Sequence, residues 1–125
     1  MKRVLIVEDD GFNLQLLRTM LKQAMECEVV ANDRGSEVLE MLKNEEEEID
    51  LLLLDLYLPE MSGEEILKEV RKLPHREDLP IFIISVDGLD EKKYLDMGAT
   101  DFVLKPFNPN TLMQKVEMVF EEKLF

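Results

Sequence analysis

Leu51-Leu52-Leu53-Leu54 runs straight into Asp55, with Leu56-Tyr57-Leu58-Pro59 beyond it. Four leucines in a row read as a strand buried on both faces. Asp55 therefore falls where that strand leaves the core, and open α/β sheets bind ligands outside the carboxyl ends of their strands. Polar groups close three other apolar runs. Glu8-Asp9 follows Val4-Leu5-Ile6-Val7, Ser85 follows Ile81-Phe82-Ile83-Ile84, and Lys105-Pro106 follows Phe102-Val103-Leu104. In a doubly wound sheet the first, third and fourth strands can be neighbours, which would gather Glu8, Asp9 and Asp55. Carboxylates that close raise one another's pKa unless a cation compensates. A cluster without His or Cys suits a hard, oxygen-preferring ion. Mg²⁺ takes few carboxylates, keeps several waters and occurs in sites that handle phosphate. On that chemistry Asp55 is the candidate nucleophile, because carboxylates form acyl phosphates. The ion and Lys105 would neutralise the phosphoryl oxygens, and Ser85 offers a hydroxyl to one of them.

Each residue alone has a plainer reading. A lone acid after a strand is more often a turn or helix cap, and Asp10 is expected to be one. Ser85 alone is a turn hydroxyl, and Lys105 alone a surface lysine. The joint occurrence at four strand ends favours the chemical reading.

The elements that must position these groups alternate. Expected strands cover Val4–Val7, Cys27–Ala31, Ile49–Leu54, Ile81–Ile84 and Phe102–Leu104. Between and after them, apolar residues recur at helical spacing. The first helix starts at Asp10 or Gly11 and carries Phe12, Leu16, Leu17, Met20, Leu21 and Met25. The second carries Val38, Leu39, Met41 and Leu42, and the third Ile66, Leu67 and Val70 before Pro74. The fourth is short, with Leu89, Tyr94, Leu95 and Met97 before Gly98; the fifth carries Leu112, Val116, Val119 and Phe120. Five strand–helix units imply one α/β domain over residues 1–125: a doubly wound parallel sheet with helices on both faces.

The length of 125 residues suits a single domain, and 46% hydrophobic with 34% charged residues suits a soluble core. A net charge of −13 argues against direct nucleic-acid binding and against an anionic membrane surface. The single cysteine, Cys27, excludes an internal disulfide and fits a cytoplasmic setting. No apolar run approaches a membrane span. Glu45 to Glu48 reads as a solvated helix end. His75, after Pro74 in a loop, is poorly placed as a phosphodonor. Cys27 and most of the eight methionines read as core packing. Phe12 and Leu16 are either core residues or an exposed contact.

The sequence closely resembles the receiver domain of bacterial two-component response regulators, the CheY-like fold. The matching pieces are Val4-Leu5-Ile6-Val7-Glu8-Asp9-Asp10, Leu54-Asp55-Leu56-Tyr57-Leu58-Pro59-Glu60-Met61-Ser62-Gly63, Ile84-Ser85, and Gly98 to Phe107 ending in Lys105-Pro106-Phe107. The resemblance implies a flavodoxin-like sheet in order 2-1-3-4-5. It implies that Asp55 accepts a phosphoryl group from a sensor histidine kinase or histidine phosphotransfer protein. Asp9 and Asp55 would bind Mg²⁺ directly, Glu8 through water, and Tyr57 through its backbone carbonyl. Lys105 matches the phosphate-binding lysine, before a bond to Pro106 that is often cis. Ser85 and Phe102 match the switch pair: the hydroxyl moves toward the phosphoryl group and the ring turns inward. The output face would be the fourth helix, fifth strand and fifth helix, meeting a downstream protein target as a monomer or a phosphorylation-dependent dimer.

Three features depart from the family pattern. Val86 stands where a small residue is common and would narrow access to Asp55. Phe102 replaces the frequent Tyr. The fourth helix is short and charged, with Asp90, Glu91, Lys92 and Lys93. Tyr57 is further expected to shield a phosphoryl group from water. With the chain stopping after the fifth helix, the expectation is a single-domain regulator or a domain of a longer protein. It would catalyse only its own phosphorylation and dephosphorylation. The competing readings are a Mg²⁺-dependent phosphatase with an aspartyl-phosphate intermediate, and a degenerate receiver that only binds partners. The first would want an acid where Tyr57 stands; the second would have lost one of the acids or the lysine.

Overall fold

A computed structural model describes residues 1–122. The strands are β1 (Lys2–Val7), β2 (Cys27–Asn32), β3 (Leu51–Asp55), β4 (Ile81–Ser85) and β5 (Asp101–Leu104). The helices are α1 (Gly11–Ala24), α2 (Gly35–Lys43), α3 (Gly63–Arg71), α4 (Glu91–Asp96) and α5 (Pro109–Glu122), with one 3₁₀ turn at Pro74–Arg76. All five strands are parallel, in the order 2-1-3-4-5. The expected fold class and order are therefore present. Residues 123–125 of the expected 1–125 unit lie outside the described residues.

The apolar runs are continuous because alternate side chains point to opposite, equally buried faces. Leu5, Val7, Leu52, Leu54, Ile81, Ile83 and Phe102 pack under α2, α3 and α4. Val4, Ile6, Leu51, Leu53, Phe82, Ile84 and Val103 pack under α1 and α5. Leu17 and Leu21 on α1, and Leu112, Val116 and Phe120 on α5, meet that second face at four-residue spacing. Asp10 caps α1 by accepting the Phe12 N–H at 2.9 Å, and Ser62 caps α3 by accepting that of Glu65 at 3.2 Å.

Several boundaries differ from expectation. β3 starts at Leu51, not Ile49, and includes Asp55. α4 starts only at Glu91, leaving Leu89 90% exposed. No methionine is fully buried: Met1 and Met118 are exposed, and the other six are partly buried against the two cores. Long unbranched side chains reach in from the helix margins. Glu45, Glu46 and Glu48 are exposed as expected, yet their loop is held. Buried Arg76 donates to the carbonyls of Leu42 (3.0 Å), Asn44 (2.9 Å) and Glu47 (2.7 Å), and Glu47 pairs with Arg3 at 2.6 Å. Cys27 is buried in the α1–α5 core. No helix among the described residues is long and apolar enough to cross a membrane.

Candidate functional site

Parallel register carries the polar strand ends to one edge of the sheet. Val7 pairs with Leu54, Asp55 with Ile84, and Ser85 with Leu104. Glu8, Asp55, Ser85 and Lys105 therefore leave four adjacent strands at nearly one level. Glu8 and Asp55 are buried, Ser85 is fully buried and Asp9 is exposed. Carboxylate oxygens of Glu8, Asp9 and Asp55 lie within 4.8 Å of one another. The acids expected to converge do converge.

Lys105 closes the pocket. Its Nζ lies 3.1 and 3.2 Å from the two oxygens of Glu8 and 3.2 Å from Asp55 Oδ2. The other Asp55 oxygen, Oδ1, accepts the Tyr57 N–H at 3.2 Å. Lys105 is held in turn by its own N–H, which donates to the Ser85 carbonyl at 2.8 Å. The Lys105–Pro106 peptide is cis, as the resemblance implies. Burial pushes the Glu8 carboxyl up, Asp55 pushes it further, and Lys105 pulls it back, leaving it at about 7. Burial draws the Lys105 ammonium down, but Asp55 and Glu8 outweigh burial and leave it raised.

The switch pair is split. The Ser85 Oγ accepts the Asp87 N–H at 3.2 Å, a turn interaction. The Phe102 ring is already inside, 5% exposed and stacked on Tyr94. The inward position is the one the resemblance gives this ring in the switched form. Tyr57 is 60% exposed.

One residue escaped the sequence reading. Asn13 donates to Glu8 Oε1 at 3.4 Å and to Asp10 Oδ2 at 3.1 Å, linking the acids on either side of Asp9. Its place one turn into α1 was the only signal. Gly63 closes the motif that begins at Leu54. It returns the 56–62 loop onto β3, with its N–H donating to the Leu56 carbonyl at 2.9 Å. A β-carbon there would stand 2.8 Å from Leu56 Cα and closer still to the Asp55 carbonyl oxygen. Phe12 and Leu16 are exposed; with Asn13, Val86, Pro106 and Phe107 they flank Lys105 in an open groove. His75 lies at the opposite edge of the sheet, its Nε2 2.8 Å from the Leu42 carbonyl.

Known proteins resemble this chain in sequence and fold. The response regulator receiver domain model matches residues 4–117. A chemotaxis protein CheY homolog of Campylobacter jejuni is 29% identical over 119 residues, covering 94% of this chain and 91% of that protein. The transcriptional regulatory protein CpxR of Escherichia coli is 33% identical over 121 residues; the match covers 95% of this chain and 49% of CpxR. Among solved structures, a CheY-like receiver domain protein of Methanospirillum hungatei superposes with a TM-score of 0.85 at 31% identity, over 98% of this chain and 97% of that one. Strand order, acidic pocket and family match fall on the same residues, and the chain belongs to the family of response regulator receiver domains of two-component systems.

Proposed function

We propose that this chain relays a signal by gaining and losing one phosphoryl group at Asp55. The observation that carries the proposal is the setting of that carboxylate: buried at a strand end, with Lys105 on one oxygen and Glu8 and Asp9 alongside. The donor is a phosphohistidine on a sensor histidine kinase or histidine phosphotransfer protein. An Asp55 oxygen bonds to phosphorus as the nitrogen–phosphorus bond breaks. The electron pair leaves with the imidazole, which takes up a proton from solvent.

Three carboxylates face one ammonium, and Glu8 is raised first by burial and then by its neighbour Asp55. The all-oxygen donor set fits Mg²⁺. Asp9 and Asp55 would hold it directly, Glu8 through water and Tyr57 through its backbone carbonyl. When bound, Mg²⁺ supplies positive charge against the transferring phosphoryl oxygens. Lys105 contributes the protein's own cation to the same oxygens. The Ser85 hydroxyl, an acceptor from Asp87, still has its proton to donate to a phosphoryl oxygen.

Phosphorylation adds roughly one to two negative charges at this edge. It shifts the conformational balance only by its differential interaction with the two states. The surface that changes is α4, β5 and α5, which meets a downstream protein in the cytoplasm. The chain catalyses its own phosphorylation and dephosphorylation and no separate turnover. Intact mass after incubation with acetyl phosphate and Mg²⁺ tests this. One added phosphoryl group is expected, absent in Asp55→Asn and absent under chelation. An adduct that persists in Asp55→Asn would refute the proposal.

A further inference from the structure

Phe102 sits inside the fold, packed against a second ring. Tyr94, on the six-residue helix α4, is 6% exposed and stacks on Phe102 with ring centroids 6.2 Å apart and planes 16° apart. Such offset stacks add to the burial energy of two rings. The Tyr94 backbone is itself fixed. Its carbonyl accepts the Ala99 N–H at 3.0 Å, and its N–H donates to the Asp90 carbonyl at 3.2 Å. Lys93 Nζ stands 5.5 Å from the ring centroid and pairs with Glu64 on α3 at 3.0 Å. Both rings belong to the core cluster that includes Leu54, Ile66 and Ile83. Moving Phe102 outward would break the stack and open a void beside Tyr94 in a packed interior.

We infer that Tyr94 is a positioning residue for the switch: stacked on Phe102, it favours the inward ring, the arrangement the phosphorylated form uses. This rests on Phe102 being half of the switch pair, as in the function proposed above. The step left for phosphorylation then belongs to Ser85, whose hydroxyl is still engaged with Asp87. A residue that favours one state raises the affinity of any ligand that favours the same state.

Beryllofluoride with Mg²⁺, which mimics the phosphoryl group on an aspartate, is the probe. Its affinity is measured for the wild type, Tyr94→Phe and Tyr94→Leu, with circular dichroism confirming that each is folded. Tyr94→Phe keeps the stack and is expected to bind like the wild type. Tyr94→Leu keeps an apolar side chain without the ring and is expected to bind several-fold more weakly. Equal affinity of Tyr94→Leu and wild type would overturn the inference, as would equal weakening in both variants. A second measurement needs no variant: the ring resonances of Phe102 in the wild type. They should shift little on beryllofluoride addition, while the amide of Asp87 shifts strongly. A large change of the Phe102 ring environment would overturn the inference even where beryllofluoride binds normally. A wild type that binds no beryllofluoride would overturn both this inference and the phosphoacceptor proposal.

Discussion

Lys105 reaches Asp55 across an intervening strand: its Nζ is 3.2 Å from Oδ2, although β4 separates β5 from β3. The same ammonium contacts both oxygens of Glu8. The side chains of Lys105, Glu8 and Asp55 are only 13%, 2% and 7% exposed, so the contacts are weakly screened. Removing one partner of a buried ion pair leaves an uncompensated charge, at a cost of about 3–5 kcal/mol. Protonation of Glu8 relieves part of this. Lys105→Met is expected to lose about 2–4 kcal/mol of metal-free stability at pH 8, and Mg²⁺ should restore more stability to the variant than to the wild type. Urea denaturation with and without Mg²⁺ measures both; a loss near zero would show that the lysine does not hold the acids.

Gly63 is required by its contact with the backbone of the phosphoacceptor itself. A β-carbon there collides with the Asp55 carbonyl oxygen and with Leu56 Cα, both backbone atoms that cannot swing away. Gly63→Ala should cost about 1–3 kcal/mol, the range for overpacking, and slow the acetyl phosphate reaction by displacing the 56–62 loop. Gly11→Ala, where nothing lies within 4 Å, is the control and should leave loop and rate unchanged. Similar denaturation midpoints for the two variants would contradict the close approach.

Glu8 gives the metal-free protein a pH signature. Its carboxyl is raised from 4.5 to about 7, first by burial and then by Asp55. Between those values the native state holds a proton that the unfolded chain has released, so this group's contribution falls as pH rises from 4.5 to about 7. A shift of that size corresponds to roughly 3 kcal/mol. In chelator, Glu8→Gln should therefore gain stability relative to wild type as pH rises through this window and hold the gain above it. Parallel stability curves for the two proteins would contradict the raised carboxyl.

Val86 is 67% exposed and lines the groove beside Lys105 together with Phe12. Its branched side chain faces the same groove as Lys105, the lysine that contacts Asp55. Val86→Ala is expected to speed phosphorylation by acetyl phosphate and phosphoryl loss by a few-fold, both read from intact mass over time. Equal rates in the two proteins would remove Val86 from any gating role.

Much of this arrangement was legible because it follows from local pattern. Apolar runs ending in Glu8, Asp55, Ser85 and Lys105 predict strands, and parallel pairing then brings their ends together. The remainder depends on tertiary contact. Tyr94 reads as one apolar residue in a charged helix until Phe102 is seen against it. Gly63 is legible as the end of the Asp55 motif, but the Asp55 carbonyl pressed on it is not. Buried Arg76 is invisible in a loop because its partners are the carbonyls of Leu42, Asn44 and Glu47, and backbone acceptors leave no trace in residue type. Most of the methionines do pack against the cores as read, but apolar identity does not distinguish a core centre from its edge.

The most direct measurement locates the phosphoryl group. Borohydride reduces an acyl phosphate to an alcohol, and peptide mass mapping reads the position. After acetyl phosphate treatment with Mg²⁺, the reduced side chain is expected at position 55 and nowhere else, and it should vanish under chelation. Phosphate recovered on Ser85 or His75, or reduction at Glu8 or Asp9 with Asp55 unmodified, would contradict Asp55 as the phosphoacceptor.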